Sequence, residues 1–184
     1  MQKMKQFYLN SVKALKKTKN ITFCGLMAAL GIVLNFVASI DLGPYIRIGF
    51  SGIPNRMVDF LFGPVVGCFF SGMMDILKFL VKPTGTFFFG FTFDAMLAGL
   101  IYGYFLYNKP VKIWRVFIPE LICKLVVNCG FNTLWISLLY GKGFFALLPA
   151  RIIKNAVMLP IDTLILFFAC TLMQKFKNQF KIAE

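Results

Sequence analysis

Long apolar runs are the feature of this sequence that most constrains its fold. They extend over about 17 to 25 residues, enough to cross the ~30 Å hydrocarbon layer of a membrane. Apolar residues make up 59% of the 184 residues and histidine is absent. A soluble domain of this size could not bury so much hydrocarbon. The sequence therefore predicts an integral membrane protein.

The charged residues and the cysteines agree with this prediction. The formal net charge is +13, but the lysines stand at the ends of apolar segments and show no interleaved basic and aromatic pattern. Anionic lipid headgroups are therefore expected to face these cations, and nucleic acid is not an expected partner. The five cysteines lie inside apolar runs without a CxxC pair, so we expect packing residues and neither a metal nor a cofactor.

Six lysines precede the first apolar run, which places the N-terminus in the cytoplasm. Six spans then bring both termini inside, and the other inner segments carry three cations each. The predicted fold is an all-α six-transmembrane-helix bundle. We expect residues 1–20 to form a cytoplasmic basic lead with a short amphipathic helix at the membrane surface, residues 21–174 the six-helix membrane domain, and residues 175–184 a cytoplasmic tail. The helices are predicted at 21–40, from Pro54 to Gly63-Pro64, and at 65–81, 88–107, 116–140 and 145–174.

The second helix is unusually short. Only about ten helical residues fit between Pro54 and the break at Gly63-Pro64, and at 1.5 Å each they span ~15 Å, half a membrane. The outer loop from Asp41 to Gly52 is therefore predicted to dip inward. Irregular backbone at that depth must line a cavity or be buried in protein. Interrupted spans of this kind indicate the binding site of a transporter.

Polar residues of the predicted spans concentrate in the outer halves of the helices, apart from Lys124 and Asp162 near the middle. Residues three and four apart share a helix face. Three such stripes are Arg151, Lys154, Asn155 and Met158; Lys124, Asn128, Asn132 and Trp135; and Phe91, Asp94 and Ala95. They predict an outward-facing cup with aromatic walls and an excess of cations, suited to a small, flat, acidic ligand.

The predicted ligand-binding residues carry cations, amides, a carboxylate or an aromatic ring. Asp94 stands out because an ionised group inside a membrane helix costs ~3 kcal/mol and usually faces a cavity or a partner. It is expected to accept from paired N–H donors of a pterin or purine. The alternative for some charges is internal pairing, Arg56 with Asp59 and Asp75 with Lys78. The full predicted set is Arg47, Arg56, Lys78, Phe91, Asp94, Asn132, Trp135, Arg151, Lys154 and Asn155.

Helix 1 carries small residues at Gly25, Ala28 and Ala29. A face of small residues allows another helix to approach closely. This face is either a docking surface for a partner or a packing surface inside the bundle.

Several short motifs extend across the chain. They are Gly63-Pro64, Lys82-Pro83-Thr84-Gly85, Gly90-Phe91-Thr92, Gly99-Leu100-Ile101-Tyr102-Gly103, and Arg151-Ile152-Ile153-Lys154-Asn155 followed by Leu159-Pro160. With these motifs, residues 21–174 resemble the substrate-binding S components of energy-coupling factor (ECF) vitamin transporters, most closely the folate-specific ones.

The resemblance implies a six-helix bundle in a bacterial, Gram-positive cell membrane that binds folate on its outer side. It implies no enzymatic activity of its own, with a transmembrane T component and two ABC-type ATPases as partners. The docking motif of the family would fall on Gly25 and Ala29. The chain departs from the family pattern at Phe89, where a proline is common, and at Gly25, where an alanine is usual. Other S components bind riboflavin, thiamine or biotin on a similar frame.

Two other classes fit the sequence less well. A stand-alone secondary transporter would show broken helices in both halves, whereas only the second helix is interrupted here. An intramembrane enzyme would need clustered acids, a histidine base or an activated nucleophile, and the sequence has no such arrangement. It also has no GxxxxGK[ST] phosphate loop, so ATP hydrolysis would belong to other chains.

Overall fold

A computed structural model describes residues 11, 17–37, 39–41, 47–83, 86–141 and 143–180. Its helices are α1 (Thr18–Val37), α2 (Ile53–Phe62), α3 (Pro64–Val81), α4 (Phe89–Leu106), α5 (Ile113–Tyr140) and α6 (Phe144–Phe180). All but α2 are long and apolar enough to cross a membrane. The predicted six-helix bundle with a short second helix is confirmed.

The connection between α1 and α2 contains a short antiparallel hairpin. Strand β1 (Ser39–Asp41) pairs with β2 (Arg47–Gly49), and Ile40 stands opposite Ile48. Helix α1 therefore ends at Val37, three residues before the predicted end at Ile40, because the following residues pair as a strand. At the other end of the chain, α6 continues to Phe180, beyond the predicted end at Gln174.

Helix α2 lies inside the bundle. Seven of its ten residues are buried, namely Pro54, Asn55 and Val58 through Phe62. Its apolar side chains belong to one core with residues of α3 and α4, among them Met74 and Tyr102. A half-length helix is tolerated at this depth because protein and not lipid surrounds it.

The break between α2 and α3 confirms the prediction made from Gly63-Pro64. Gly63 has φ +85°, a left-handed conformation that glycine adopts readily, and α3 begins at Pro64. The hydroxyl of Ser11 donates to the carbonyl oxygen of Phe62 and accepts from the backbone N–H of Val66 at 3.4 Å. Ser11 thus caps both helix ends at the break. Most of the predicted basic lead, residues 1–10 and 12–16, lies outside the described residues, as do residues 181–184.

Helices α3 and α4 pack with their backbones in contact. A Cβ atom added at Gly103 would lie 2.4 Å from Cα of Pro64, and one added at Gly99 would lie 2.6 Å from the carbonyl oxygen of Gly67. Small residues four apart permit this approach. The glycines of the Gly99 to Gly103 motif therefore set the distance between the two helices.

Helix α5 differs from the regular helix that the sequence predicts. Residues Cys123–Phe131 are π-helical, with the N–H of Asn132 bonded to the carbonyl oxygen of Val127, five residues earlier. A π-helical stretch adds residues to each turn and so rotates the faces of the helix before and after it. The predicted stripe from Lys124 to Trp135 consequently does not lie along one face.

Candidate ligand-binding site

A cavity of about 210 Å³ lies between α2, α4, α5 and α6. The end of the hairpin and the residues after it, Gly49, Phe50 and Gly52, form part of its wall. This confirms that the outer loop reaches into the bundle. The polar side chains of the wall are Arg56, Tyr102, Glu120, Lys124, Asn128, Lys154, Asn155 and Asp162.

An ion pair crosses the cavity wall from α5 to α6. Nζ of Lys124 lies 2.5 Å from Oδ2 of Asp162, and the two side chains are 7% and 27% exposed. The sequence placed both residues near the middle of their helices but did not pair them. Their separation of 38 positions leaves no local spacing from which a contact could be read.

A second group of polar contacts joins α2, α4 and α5. The guanidinium carbon of Arg56 lies 3.7 Å from the ring centre of Tyr102, and Nη1 of Arg56 lies 3.5 Å from Oδ2 of Asp59. The internal pair considered for Arg56 is therefore present, and the same side chain also lines the cavity. The hydroxyl of Tyr102 donates to Oε2 of Glu120 at 2.6 Å. Sequence reasoning missed Glu120, although an acid within an apolar run is the signal that identified Asp94.

Arg151, on α6, contacts the end of the π-helical stretch of α5. Its Nη1 donates to Oδ1 of Asn132 at 2.6 Å and to the carbonyl oxygen of Asn128 at 3.1 Å. The hydroxyl of Thr133 lies 3.4 Å from the same nitrogen and donates to the carbonyl of Asn128 at 3.1 Å. Arg151 is only 8% exposed, so its charge is held by amide and hydroxyl oxygens.

The side chains of Asp94 and Trp135 meet next to this group. Nε1 of Trp135 donates to Oδ1 of Asp94 at 3.2 Å, and Asp94 is 4% exposed. The side chain of Asn132 lies beside Asp94 as well. We call Asp94, Asn132, Thr133, Trp135 and Arg151 the outer cluster.

Aromatic rings enclose Trp135. Phe131 stacks on it with ring centres 6.4 Å apart and planes 17° apart, and Phe88 lies at 5.4 Å. A Cβ atom at Gly90 would lie 2.5 Å from the ring of Phe88 and 2.7 Å from that of Trp135. A side chain at this position would therefore displace one or both rings. Phe91 contacts the ring of Phe88, at 6.1 Å between centres.

The structure divides the predicted binding residues. Asp94, Asn132, Trp135 and Arg151 belong to the outer cluster, whereas Arg56, Lys154 and Asn155 line the cavity. Asn128 connects the two parts. Its backbone carbonyl accepts from Arg151, and Asn128 also lines the cavity. Asn155 also donates to Sγ of Cys129 at 3.2 Å.

Three further polar residues belong to neither the outer cluster nor the residues that line the cavity. Nζ of Lys78 donates to the carbonyl of Ser51 at 2.7 Å, at the base of the hairpin. Asp75, its considered partner, accepts from the hydroxyl of Thr92 at 2.8 Å. Arg47 lies in β2, and its side chain lies outside the described part of the structure.

The small residues of α1 face two directions. Gly25 and Ala29 are exposed, and a Cβ atom at Gly25 would meet no atom within 4 Å. Ala28 is partly buried against the core. The face of Gly25 and Ala29 therefore points away from the bundle.

Cysteines and acids do not converge on one point in the described part of the chain. No group of three or more His, Cys, Asp or Glu side chains there is placed to hold a metal ion. The cysteines described are all free thiols.

Comparison with known proteins gives matches over most of the chain. The family model "ECF transporter, substrate-specific component" matches residues 19–169. The folate transporter FolT of Clostridium novyi (strain NT) is 34% identical over 170 residues, covering 92% of this chain and 98% of the relative. FolT of Leuconostoc mesenteroides is 28% identical, with 82% and 84% of the two chains covered.

Two solved structures share this fold. The crystal structure of FolT bound with folic acid superposes with a TM-score of 0.78 at 30% identity, covering 84% of this chain and 94% of the other. The S component for biotin gives a TM-score of 0.66 at 20% identity, with 89% and 93% covered, which shows the shared fold alone. Since the family model spans residues 19–169, this chain belongs to the family of substrate-specific components of ECF transporters.

Proposed function

We propose that this chain is the folate-binding S component of an ECF-type importer, capturing the pterin, aminobenzoate and glutamate moieties of folate from outside the cell. The observation that carries the proposal is a polar cavity joined to a cationic and aromatic cluster, in a chain 30% identical to FolT bound with folic acid. The relatives from C. novyi and L. mesenteroides are likewise named folate transporters.

The outer cluster has the chemistry to bind the acidic and aromatic parts of folate. Arg151 supplies a guanidinium with several N–H donors for a carboxylate. Trp135, whose Nε1 donates to Oδ1 of Asp94 at 3.2 Å, forms an aromatic group with Phe88 and Phe131 against which an aminobenzoate ring can pack. Lys154, which lines the cavity, supplies a cation in addition to that of Arg151. The ligand itself is the only small molecule that the proposal requires.

Energy for uptake comes from other chains in this proposal. The partners are a transmembrane T component and two ABC-type ATPases, and this chain itself catalyses no reaction. Gly25 and Ala29, with Ala28 at the edge, form the docking face for the T component. Two observations support this docking face: Gly25 and Ala29 are exposed, and there is free space beside Gly25. Small residues let helices approach closely in lipid.

The chain lies in the cell membrane with both termini in the cytoplasm. Ser11 caps the α2–α3 break, and a Cβ atom at Gly63 would meet the ring of Tyr107 at 2.9 Å, so these residues mark one end of the bundle. Lys109, Lys112 and Arg115 follow Tyr107 at that end, as expected for an inner face rich in cations. A Gram-positive source is expected, in keeping with the Clostridium relative.

The test is equilibrium binding of folic acid to the purified protein, followed by tryptophan fluorescence. We expect saturable quenching by folic acid and none by riboflavin, thiamine or biotin. Trp135→Phe should remove most of the signal. Trp114→Phe should leave it, because Trp114 is 70% exposed and 21 positions earlier, roughly 30 Å along the helix.

Two results would overturn parts of the proposal. A response to another vitamin with none to folic acid would exclude folate as the substrate. Isolation of the protein in mild detergent from membranes active in uptake, always without ATPase subunits, would exclude the S-component role.

A further inference from the structure

The ion pair of Lys124 and Asp162 is unusual because it forms part of the cavity wall. Its atoms lie 2.5 Å apart and both residues line the cavity. Taking two charges out of water is costly, and a buried pair is weak evidence for stability. At this position, however, the pair places a carboxylate acceptor and an ammonium donor side by side at the surface that a ligand would meet.

That arrangement is complementary to one edge of a pterin. The 2-amino group and N3–H of the pterin are parallel donors, and the neighbouring O4 is an acceptor. A carboxylate accepts two parallel N–H bonds, and an ammonium can donate to the oxygen beside them. Building on the proposed function, we infer that Lys124 and Asp162 read the 2-amino-4-oxo edge of folate and so determine the specificity of the site.

The size of the cavity and the mixed charges of its wall suit the heterocycle of folate. A volume of about 210 Å³ is below the ~300 Å³ at which pockets begin to hold a whole drug-sized ligand, so only part of folate enters. The wall carries three cations, Arg56, Lys124 and Lys154, and two acids, Glu120 and Asp162. Lys124 is paired with Asp162 and Arg56 with Asp59, so the wall offers donors and acceptors side by side. A neutral pterin, which has both N–H donors and an oxygen acceptor, matches this arrangement.

Two other carboxylates are less suited to this role. Asp94, the acceptor predicted from the sequence, does not line the cavity and already accepts from Trp135 at 3.2 Å. Glu120 lines the cavity, but its Oε2 accepts from the hydroxyl of Tyr102 at 2.6 Å. Asp162 also has a partner, Lys124, but its side chain is 27% exposed and it lines the cavity, whereas Glu120 and Asp94 are 8% and 4% exposed.

The experiment compares folic acid with its 2-desamino-2-methyl analogue, which lacks one of the two donors. We expect the wild-type protein to bind folic acid at least about tenfold more tightly, the range of a lost hydrogen bond to a charged group. In the double variant Lys124→Gln/Asp162→Asn, which removes both charges together, the preference should fall to about threefold or less. Asp94→Asn should weaken both ligands by the same factor and leave the preference unchanged.

The outcomes separate this inference from the proposed function. Wild-type protein that binds neither ligand would overturn both. Tight folic acid binding with a preference that survives in the double variant and disappears in Asp94→Asn would keep the function and assign the pterin edge to Asp94. Should the double variant fail to fold, Asp162→Glu keeps the ion pair and shifts the carboxylate by one methylene. It should weaken folic acid binding at least about tenfold without lowering the melting temperature, and unchanged affinity would overturn the inference.

Discussion

Nη1 of Arg151 lies 2.6 Å from Oδ1 of Asn132 and joins α6 to the end of the π-helical stretch in α5. The same nitrogen reaches the backbone carbonyl of Asn128 at 3.1 Å. Asn128 also lines the cavity. Its backbone carbonyl therefore couples Arg151, in the outer cluster, to the cavity. A change at Arg151 should therefore affect ligand binding more than its single charge suggests.

Replacing Arg151 by alanine should weaken folic acid binding by roughly 10- to 100-fold, since a hydrogen bond to a charged group contributes about 1.5–3 kcal/mol. Arg151→Lys keeps the charge without the planar fork and should give an intermediate affinity. Lys154→Ala should also cost more than about tenfold. Titration of the purified variants measures these effects, with Lys112→Ala, an exposed cation of the other end, as control. Unchanged affinity in both alanine variants would place the site elsewhere.

Gly90→Ala should lower ligand affinity severalfold with a small effect on stability. The added Cβ would lie 2.5 Å from Phe88 and 2.7 Å from Trp135, and both contacts are with side-chain rings that can move. Displacing Trp135 would disturb its bond to Asp94. The intrinsic fluorescence of the unliganded variant should change together with its folic acid affinity. A variant with wild-type fluorescence and affinity would show that the rings do not set the site.

Gly103→Ala should strongly destabilise the bundle. Its Cβ would lie 2.4 Å from Cα of Pro64, which is backbone at the start of α3, and overpacking typically costs 1–3 kcal/mol or more. The melting temperature in detergent should fall, while Gly25→Ala, with no atom within 4 Å, should leave it unchanged or raise it slightly. Equal melting temperatures for the two variants would mean that α3 and α4 are not in backbone contact.

Local sequence signals were sufficient for much of this fold. Apolar runs give the long helices, and Gly63-Pro64 gives the break after α2, because both are properties of consecutive residues. The π-helical stretch of α5 was not predictable in this way. Its sequence has an ordinary apolar pattern, and the carbonyl of Asn128 accepts bonds from Thr133 and from Arg151, 23 residues away.

The candidate site was predictable as a set of residues but not as an arrangement. Helical spacing found Arg151, Asn132 and Trp135 because each stripe is local. Helical spacing did not separate the outer cluster from the cavity. That division arises because the π-helical stretch rotates the faces of α5 before and after it. Helical spacing also did not predict that the ammonium of Lys78 donates to the carbonyl of Ser51. Contacts between distant segments carry no local pattern in the sequence.

Ala29→Trp should abolish uptake in cells while leaving folic acid binding by the purified protein intact. Ala29 and Gly25 lie on an exposed face of α1, away from the cavity, so a bulky ring would block the close approach of a T component without disturbing the site. Leu164→Trp is the control, because Leu164 is 60% exposed on α6 and a ring there would face lipid. Uptake of labelled folic acid and binding in detergent are measured for both variants. A loss of binding in Ala29→Trp would mean that this face supports the bundle itself, and normal uptake would mean that the partner docks on another surface.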